Sequence, residues 1–161
     1  MDGQFKGVNI RPLVSSDVDD LHHNCFPDES LESVADYVQR ALHFVQGGKA
    51  AHLVAECDGR AVANAQLLCW RKRAEIGSLV VAEPLRGQGI GQALITALSD
   101  AAADLGAEQI EIGAEKDNGL ALSLYRRLGF VPYKEVRVPN GGSTYDQVVY
   151  LIKPVPLRDR S

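Results

Sequence analysis

Disulfide chemistry is the first thing for which the sequence has little material. Its three cysteines, Cys25, Cys57 and Cys69, are an odd number without CxxC-like spacing, so they provide neither a disulfide framework nor a zinc site. They read as reduced, mostly buried small apolar residues. No apolar run approaches the roughly 20 residues a membrane-spanning helix needs. No polybasic block stands out against a formal net charge of −4, which argues against nucleic-acid and anionic-membrane partners. There is no internal repeat, no low-complexity stretch and no Pro/Gly/Ser linker long enough to divide the chain, so a single domain over 1–161 is expected. Met1-Asp2-Gly3-Gln4-Phe5-Lys6 has neither the basic flank nor the apolar stretch of a secretory signal, and the expected location is the cytoplasm. His22, His23, His43 and His52 have no metal-like pairing with acids or cysteines, and no metal is expected.

What the chain does have is 161 residues, 45% apolar and 24% charged, ordinary values for one buried core. Val8 to Leu13 reads as a strand, followed by Ser15-Ser16-Asp17, a set of N-cap residues opening a short helix. Leu31, Val34, Ala35, Val38, Leu42 and Val45 recur at helical spacing and stop at Gly47-Gly48. His52 to Cys57 and Ala61 to Trp70 flank Asp58-Gly59 as an antiparallel hairpin. Glu75 to Val81 is a further strand, running into Pro84-Leu85-Arg86-Gly87-Gln88-Gly89-Ile90-Gly91 and a helix with the stripe Ile90, Leu94, Ala97, Leu98, Ala101, Leu105. A strand at Ile110 to Ala114, a helix at Asn118 to Leu128, and strands at Phe130 to Val138 and Tyr145 to Ile152 complete the chain. The order β-α-α-β-β-β-α-β-α-β-β predicts an α/β fold: a mixed sheet of about seven strands with four helices on its faces.

A strand that delivers a glycine-rich turn into a helix N-terminus is a generic anion site, because the first helical N–H groups lack partners and the helix dipole is positive there. Gly87, Gly89 and Gly91 remove Cβ atoms that would keep a diphosphate from the backbone, and Arg86 could add a charged contact. A dinucleotide fingerprint fails in both registers, since its last glycine would fall on Gln92 or Leu94. A Walker A loop fails too: Gly91-Gln92-Ala93 offers neither the lysine nor the hydroxyl.

The loop does resemble the acetyl-CoA signature of the GNAT superfamily of N-acetyltransferases, Arg/Gln-x-x-Gly-x-Gly/Ala, through Arg86, Gly89 and Gly91 after the apolar strand Leu79-Val80-Val81. Downstream, Asn118 to Phe130 is similar to the family's Asn-x-x-Ala-x-x-Leu-Tyr-x-x-x-Gly-Phe at every anchor. The resemblance is close over about Glu75 to Tyr133 and lies in element order alone before that. It implies a GNAT fold and an enzyme that moves an acetyl group from acetyl-CoA to a primary amine of a small molecule or peptide, without metal. It also implies a family that often forms dimers, so a homodimer belongs to the expectation. A non-catalytic CoA-binding or sensing module of the same fold is the alternative.

By the same resemblance, the strand Leu79 to Val81 parts from Gly113-Ala114 at a β-bulge and opens a slot for pantetheine, where a freed N–H near Val81 stabilises the oxyanion. Backbone groups of Gly87, Gln88, Gly89, Ile90, Gly91 and Gln92 hold the pyrophosphate. Asn118 contacts the cofactor, and Tyr125, seven residues on along the same helix face, is the general acid. Where some family members carry a carboxylate, this chain has Gly113, so a water relay from Glu75 or Glu111, which share strand parity with the slot residues, is the expected substitute base. The acceptor pocket falls to Cys25–Gln46 and Arg137–Thr144, which carry no motif. Arg71-Lys72-Arg73 reads as a solvated hairpin end.

Overall fold

The computed structural model describes residues 7–156; Met1 to Lys6, on which the expectation of no secretory signal rests, lie outside them. The elements are β1 (Val8–Pro12), α1 (Val18–Asn24), α2 (Leu31–Gln46), β2 (Ala50–Cys57), β3 (Arg60–Trp70), β4 (Arg73–Val81), α3 (Ile90–Asp104), β5 (Gln109–Glu115), α4 (Gly119–Arg127), β6 (Val131–Pro139) and β7 (Tyr145–Pro154). They make one seven-stranded sheet of order β1-β2-β3-β4-β5-β7-β6, with β4 and β5 parallel and every other neighbour antiparallel. This is the expected mixed sheet with four helices. No helix of the described residues is long and apolar enough to cross a membrane.

Local chemistry explains most boundaries. Asp58 and Gly59 both have positive φ, 52° and 79°, the pairing a two-residue hairpin turn demands. Ser30 caps α2 by accepting the Ser33 N–H at 3.0 Å. The expected cap at Ser15-Ser16-Asp17 works differently. These residues form a short 3-10 turn, and the Asp17 carboxylate reaches back to the Val14 N–H (2.9 Å) and takes both terminal nitrogens of Arg11 (2.8 and 3.0 Å). Arg11 is thereby shared between Asp17 and Glu56, clamping β1 and β2 to the start of α1.

Two cores lie on opposite faces of the sheet. Leu21, Val34 and Val38 of α1 and α2 pack on Val54 and Ala61. Leu94, Ile95 and Leu98 of α3, with Tyr125 and Phe130, pack on Leu67, Ile76, Ile110, Ile112 and Leu151. Cys25 and Cys69 are buried and Cys57 is half-buried, all three as free thiols.

Candidate active site

The parallel pairing of β4 with β5 is short. Arg73 to Ile76 face Gln109 to Ile112, and beyond that point the strands share no register. The separation starts at an irregularity on the other side of β4. Its register with β3 shifts so that Ser78 and Leu79 together oppose Ala65, and Ser78 takes φ 53°. An extra residue bends and twists the strand that carries it, which swings the rest of β4 away from β5. The hollow left in the fork, about 330 Å³, is lined by Ile76–Leu79, Ile112–Ala114, Asn118, Ala121 and Tyr125.

Past the bulge, β4 keeps only its β3 neighbour. The Ala82 N–H donates to the Val62 carbonyl at 2.8 Å, so Ala82 points its polar groups toward β3. Because those groups alternate along a strand, Val81 points its own toward the fork. There the Val81 carbonyl accepts Arg86 Nε at 3.0 Å. The Arg86 side chain is thus folded back on the strand it follows, a placement the motif alone does not specify.

The loop then enters α3 through two left-handed residues, Gly87 (φ 78°) and Gly89 (φ 90°), where glycine avoids a steric penalty. Gly91 is different. Its φ is not positive, and an added Cβ would meet the Leu79 and Val81 side chains only at an ordinary 4.0 Å. The first helical bond runs from the Ala93 N–H to the Gly89 carbonyl (3.1 Å), which leaves the N–H groups of Ile90, Gly91 and Gln92 without intrahelical partners. They border a groove of about 750 Å³ lined by Leu79, Val81, Leu85 to Gln92, Leu120, Leu124, Tyr125 and Arg127. Leu120, 89% exposed, is an apolar lip to this groove. The Ile90 side chain is buried beneath the loop, and Val80 packs against the α1/α2 core.

Asn118 caps α4, its Oδ1 accepting the Ala121 N–H at 3.1 Å, while also lining the fork. Tyr125 borders both fork and groove. It is 7% exposed, with its ring centroid 6.2 Å from that of Phe130, and burial pushes its phenol pKa up, so the group keeps its proton.

Glu75 and Glu111 stand directly opposite each other on β4 and β5, an arrangement that like charges disfavour. Glu111, only 6% exposed, is held by the Tyr133 hydroxyl and by Arg73 at 3.6 Å. Burial first, and the Glu111 charge second, push the Glu75 pKa up, with Lys134 opposing. The Lys134 ammonium sits over the rings of both Tyr133 and Tyr150, at 5.3 and 5.2 Å.

The departure at Gly113 has a steric reason. Its strand partner is Tyr150, and a Cβ on Gly113 would lie 2.9 Å from Tyr150 Cε1 and 3.3 Å from Val148 Cγ1. The tyrosine ring therefore occupies the space of the missing side chain. Gly113→Ala is expected to cost about 1–3 kcal/mol by overpacking, read by urea unfolding. The loss should shrink in a Tyr150→Ala background; an equal loss in both backgrounds would refute the clash. Sequence alone does not mark Tyr133, Tyr150 or Lys134, because nothing local distinguishes a strand tyrosine that reaches another strand's glycine or glutamate.

Among the described residues no three His, Cys, Asp or Glu side chains converge to hold a metal ion. The sequence pattern of the Acetyltransferase (GNAT) family matches residues 15–130. The chain is 42% identical over 64 residues to the N-alpha-acetyltransferase MAK3 of Arabidopsis thaliana, covering 40% of this chain and 34% of that protein. It is 36% identical over 80 residues to N-alpha-acetyltransferase 30 of Schizosaccharomyces pombe, covering 48% and 53%. The chain thus matches about half or less of the length of these curated relatives. Among solved structures, the acetyltransferase that modifies the N-terminal serine of ribosomal protein L7/L12 in Salmonella typhimurium superposes with a TM-score of 0.82 at 20% identity, over 95% of this chain and 98% of that one. With the forked sheet, the left-handed glycine loop and a pattern match over most of its length, the chain belongs to the Acetyltransferase (GNAT) family.

Proposed function

We propose that the protein is an N-acetyltransferase that moves an acetyl group from acetyl-CoA to a primary amine by direct attack on the thioester. The observation that carries this reading is the fork: β4 leaves β5 beside a helix N-terminus whose N–H groups face a groove, and Val81 directs its N–H into the gap. The pyrophosphate is held by backbone N–H groups from Gly87 to Gln92, where the partial positive charge of α3 is concentrated. Pantetheine lies in the fork past Asn118, and the thioester carbonyl accepts from the N–H groups of Leu79 and Val81. Donors placed where negative charge develops are worth more in such a partly dry site than in water. Arg86, now on the Val81 carbonyl, is free to turn to a phosphate oxygen when the ligand enters.

The acceptor arrives as an ammonium and gives one proton through water to Glu75, which passes it to solvent. Glu75 is preferred over Glu111 because Glu111 is already engaged by Tyr133 and Arg73, while no hydrogen bond from the described residues ties the Glu75 carboxylate. The amine nitrogen then bonds to the carbonyl carbon and the C–S bond breaks. The departing thiolate takes the Tyr125 proton, and the proton lost by the attacking nitrogen restores the phenol. The products are an amide and the CoA thiol. The N-alpha-acetyltransferase names of the curated relatives favour a peptide N-terminus as acceptor.

The test is thiol release from acetyl-CoA with short peptides and polyamines as acceptors. Tyr125→Phe is expected to lower kcat roughly tenfold, less than most acid–base losses, because a thiolate is only weakly basic. Tight CoA binding without thiol release on any amine, and no effect of Tyr125→Phe, would instead mean a sensing module.

A further inference from the structure

Below the bulge, on the α1/α2 side of the sheet, lies a set of buried and half-buried polar groups that the acyl transfer does not use. Asn64 of β3 is 0% exposed, and its neighbours Ala63 and Ala65 belong to the opposite core, so its side chain points toward α2. Its Oδ1 accepts from the Tyr37 hydroxyl at 2.9 Å and faces His52 Nε2 at 2.7 Å. Its Nδ2 donates to the Ser78 carbonyl at 3.2 Å. The opposite amide orientation would set two oxygens against each other at Ser78, so the orientation is fixed. His52, 2% exposed, must then donate from Nε2, leaving Nδ1 buried without a partner among the described residues. Three polar side chains from α2, β2 and β3 thus converge, through one amide, on the carbonyl of the bulge residue.

We propose that Asn64, Tyr37 and His52 are positioning residues for acyl transfer, an inference that rests on the acetyltransferase reading. The Ser78 C=O and the Leu79 N–H belong to one planar trans peptide and point in opposite directions. Holding the carbonyl toward Asn64 therefore aims the Leu79 N–H away from it, into the fork where the thioester carbonyl is placed. Apolar residues could fill this volume without loss of stability; what they could not do is fix the direction of a peptide plane that the bulge has released from the β4–β3 ladder. Tyr37 anchors the array in α2, with its ring edge-on to Phe26 at 5.4 Å. The N–H that polarises the thioester is thereby tied to the helices expected to border the acceptor.

Tyr37→Phe, which removes one oxygen, and Asn64→Leu, which removes the whole link, test this. The readouts are dissociation constants for CoA and acetyl-CoA, thiol release with the best acceptor found for the parent protein, and the Leu79 amide resonance in NMR. The expected result for Tyr37→Phe is CoA affinity within about twofold of the parent and kcat lower by at least about tenfold. The Leu79 shift that separates acetyl-CoA from CoA should shrink. Asn64→Leu should do the same more strongly if it folds; Tyr37→Phe carries the test if it does not. A Tyr37→Phe protein with a lowered Tm but parental kcat and Leu79 shift would reduce the array to a core element and overturn the proposal. A parent protein that binds neither thioester nor thiol overturns the acetyltransferase reading, and the array's role falls with it.

Discussion

Gly89→Asp is expected to weaken CoA binding by at least about 100-fold. Two unit charges about 4 Å apart interact by about 4 kcal/mol at the effective dielectric of a protein surface, and ionic screening removes part of that. Some 3 kcal/mol of repulsion between the new carboxylate and a diphosphate remains, which is about 100-fold in affinity. The substitution also forces a side chain onto φ 90°, in the left-handed region that Asp and Asn tolerate better than other residues. Gly89→Asn is the matched control, with the same shape and backbone demand but no charge. Calorimetry on both variants separates the two effects: the Asn variant should lose only several-fold in affinity, and both should melt within a few degrees of each other. Equal affinities for the Asp and Asn variants would place the phosphates elsewhere.

The features that could be read in the sequence are those encoded over short distances. Asp58-Gly59 predicts its hairpin because two adjacent positive φ angles need those residue types, and the stripe from Ile90 to Leu105 predicts α3 because its period matches the 3.6-residue turn. The glycine turn into α3 is legible for the same reason, since Gly87 and Gly89 take left-handed backbone angles. Strand parity holds for Glu111 with Gly113 on β5 but fails for Glu75 with Leu79 and Val81, because the extra residue at the bulge turns Leu79 and Val81 onto the core that Ala74 and Ile76 join.

The rest of the site depends on contacts between distant segments. Ser78 adopts φ 53°, which a serine gives no reason to expect, and the Asn64 amide that holds its carbonyl looks in sequence like a polar interruption in an alanine-rich strand. Tyr37 reads as one more residue on an amphipathic helix until α2 is laid across β2 and β3. The same holds for Gly113, a missing carboxylate in sequence but a glycine facing Tyr150 on the neighbouring strand in the fold. Periodicity reports which face a residue occupies but not which partner it meets there, and this chain's chemistry lies largely in those partners.

Glu75→Gln is expected to lower kcat for thiol release by about 100-fold or more, the usual scale for losing a general base, with little change in CoA affinity. The pH dependence carries the sharper test. A base must be unprotonated to act, so the rate falls as pH drops through the Glu75 pKa. Burial, then the facing Glu111, push that pKa above 4.5, while Lys134 pulls the other way. The acidic limb of the kcat profile should therefore lie above the ordinary carboxylate range. Removing the repulsive neighbour with Glu111→Gln should move the limb to lower pH, and removing the attractive one with Lys134→Met should move it to higher pH. Titration of the acceptor amine is common to all these proteins and moves with neither substitution, so opposite displacements can come only from a carboxyl that feels both charges. A Glu75→Gln enzyme that keeps more than about a tenth of parental kcat, or a limb that neither neighbour displaces, would remove Glu75 from the reaction and leave proton removal to solvent.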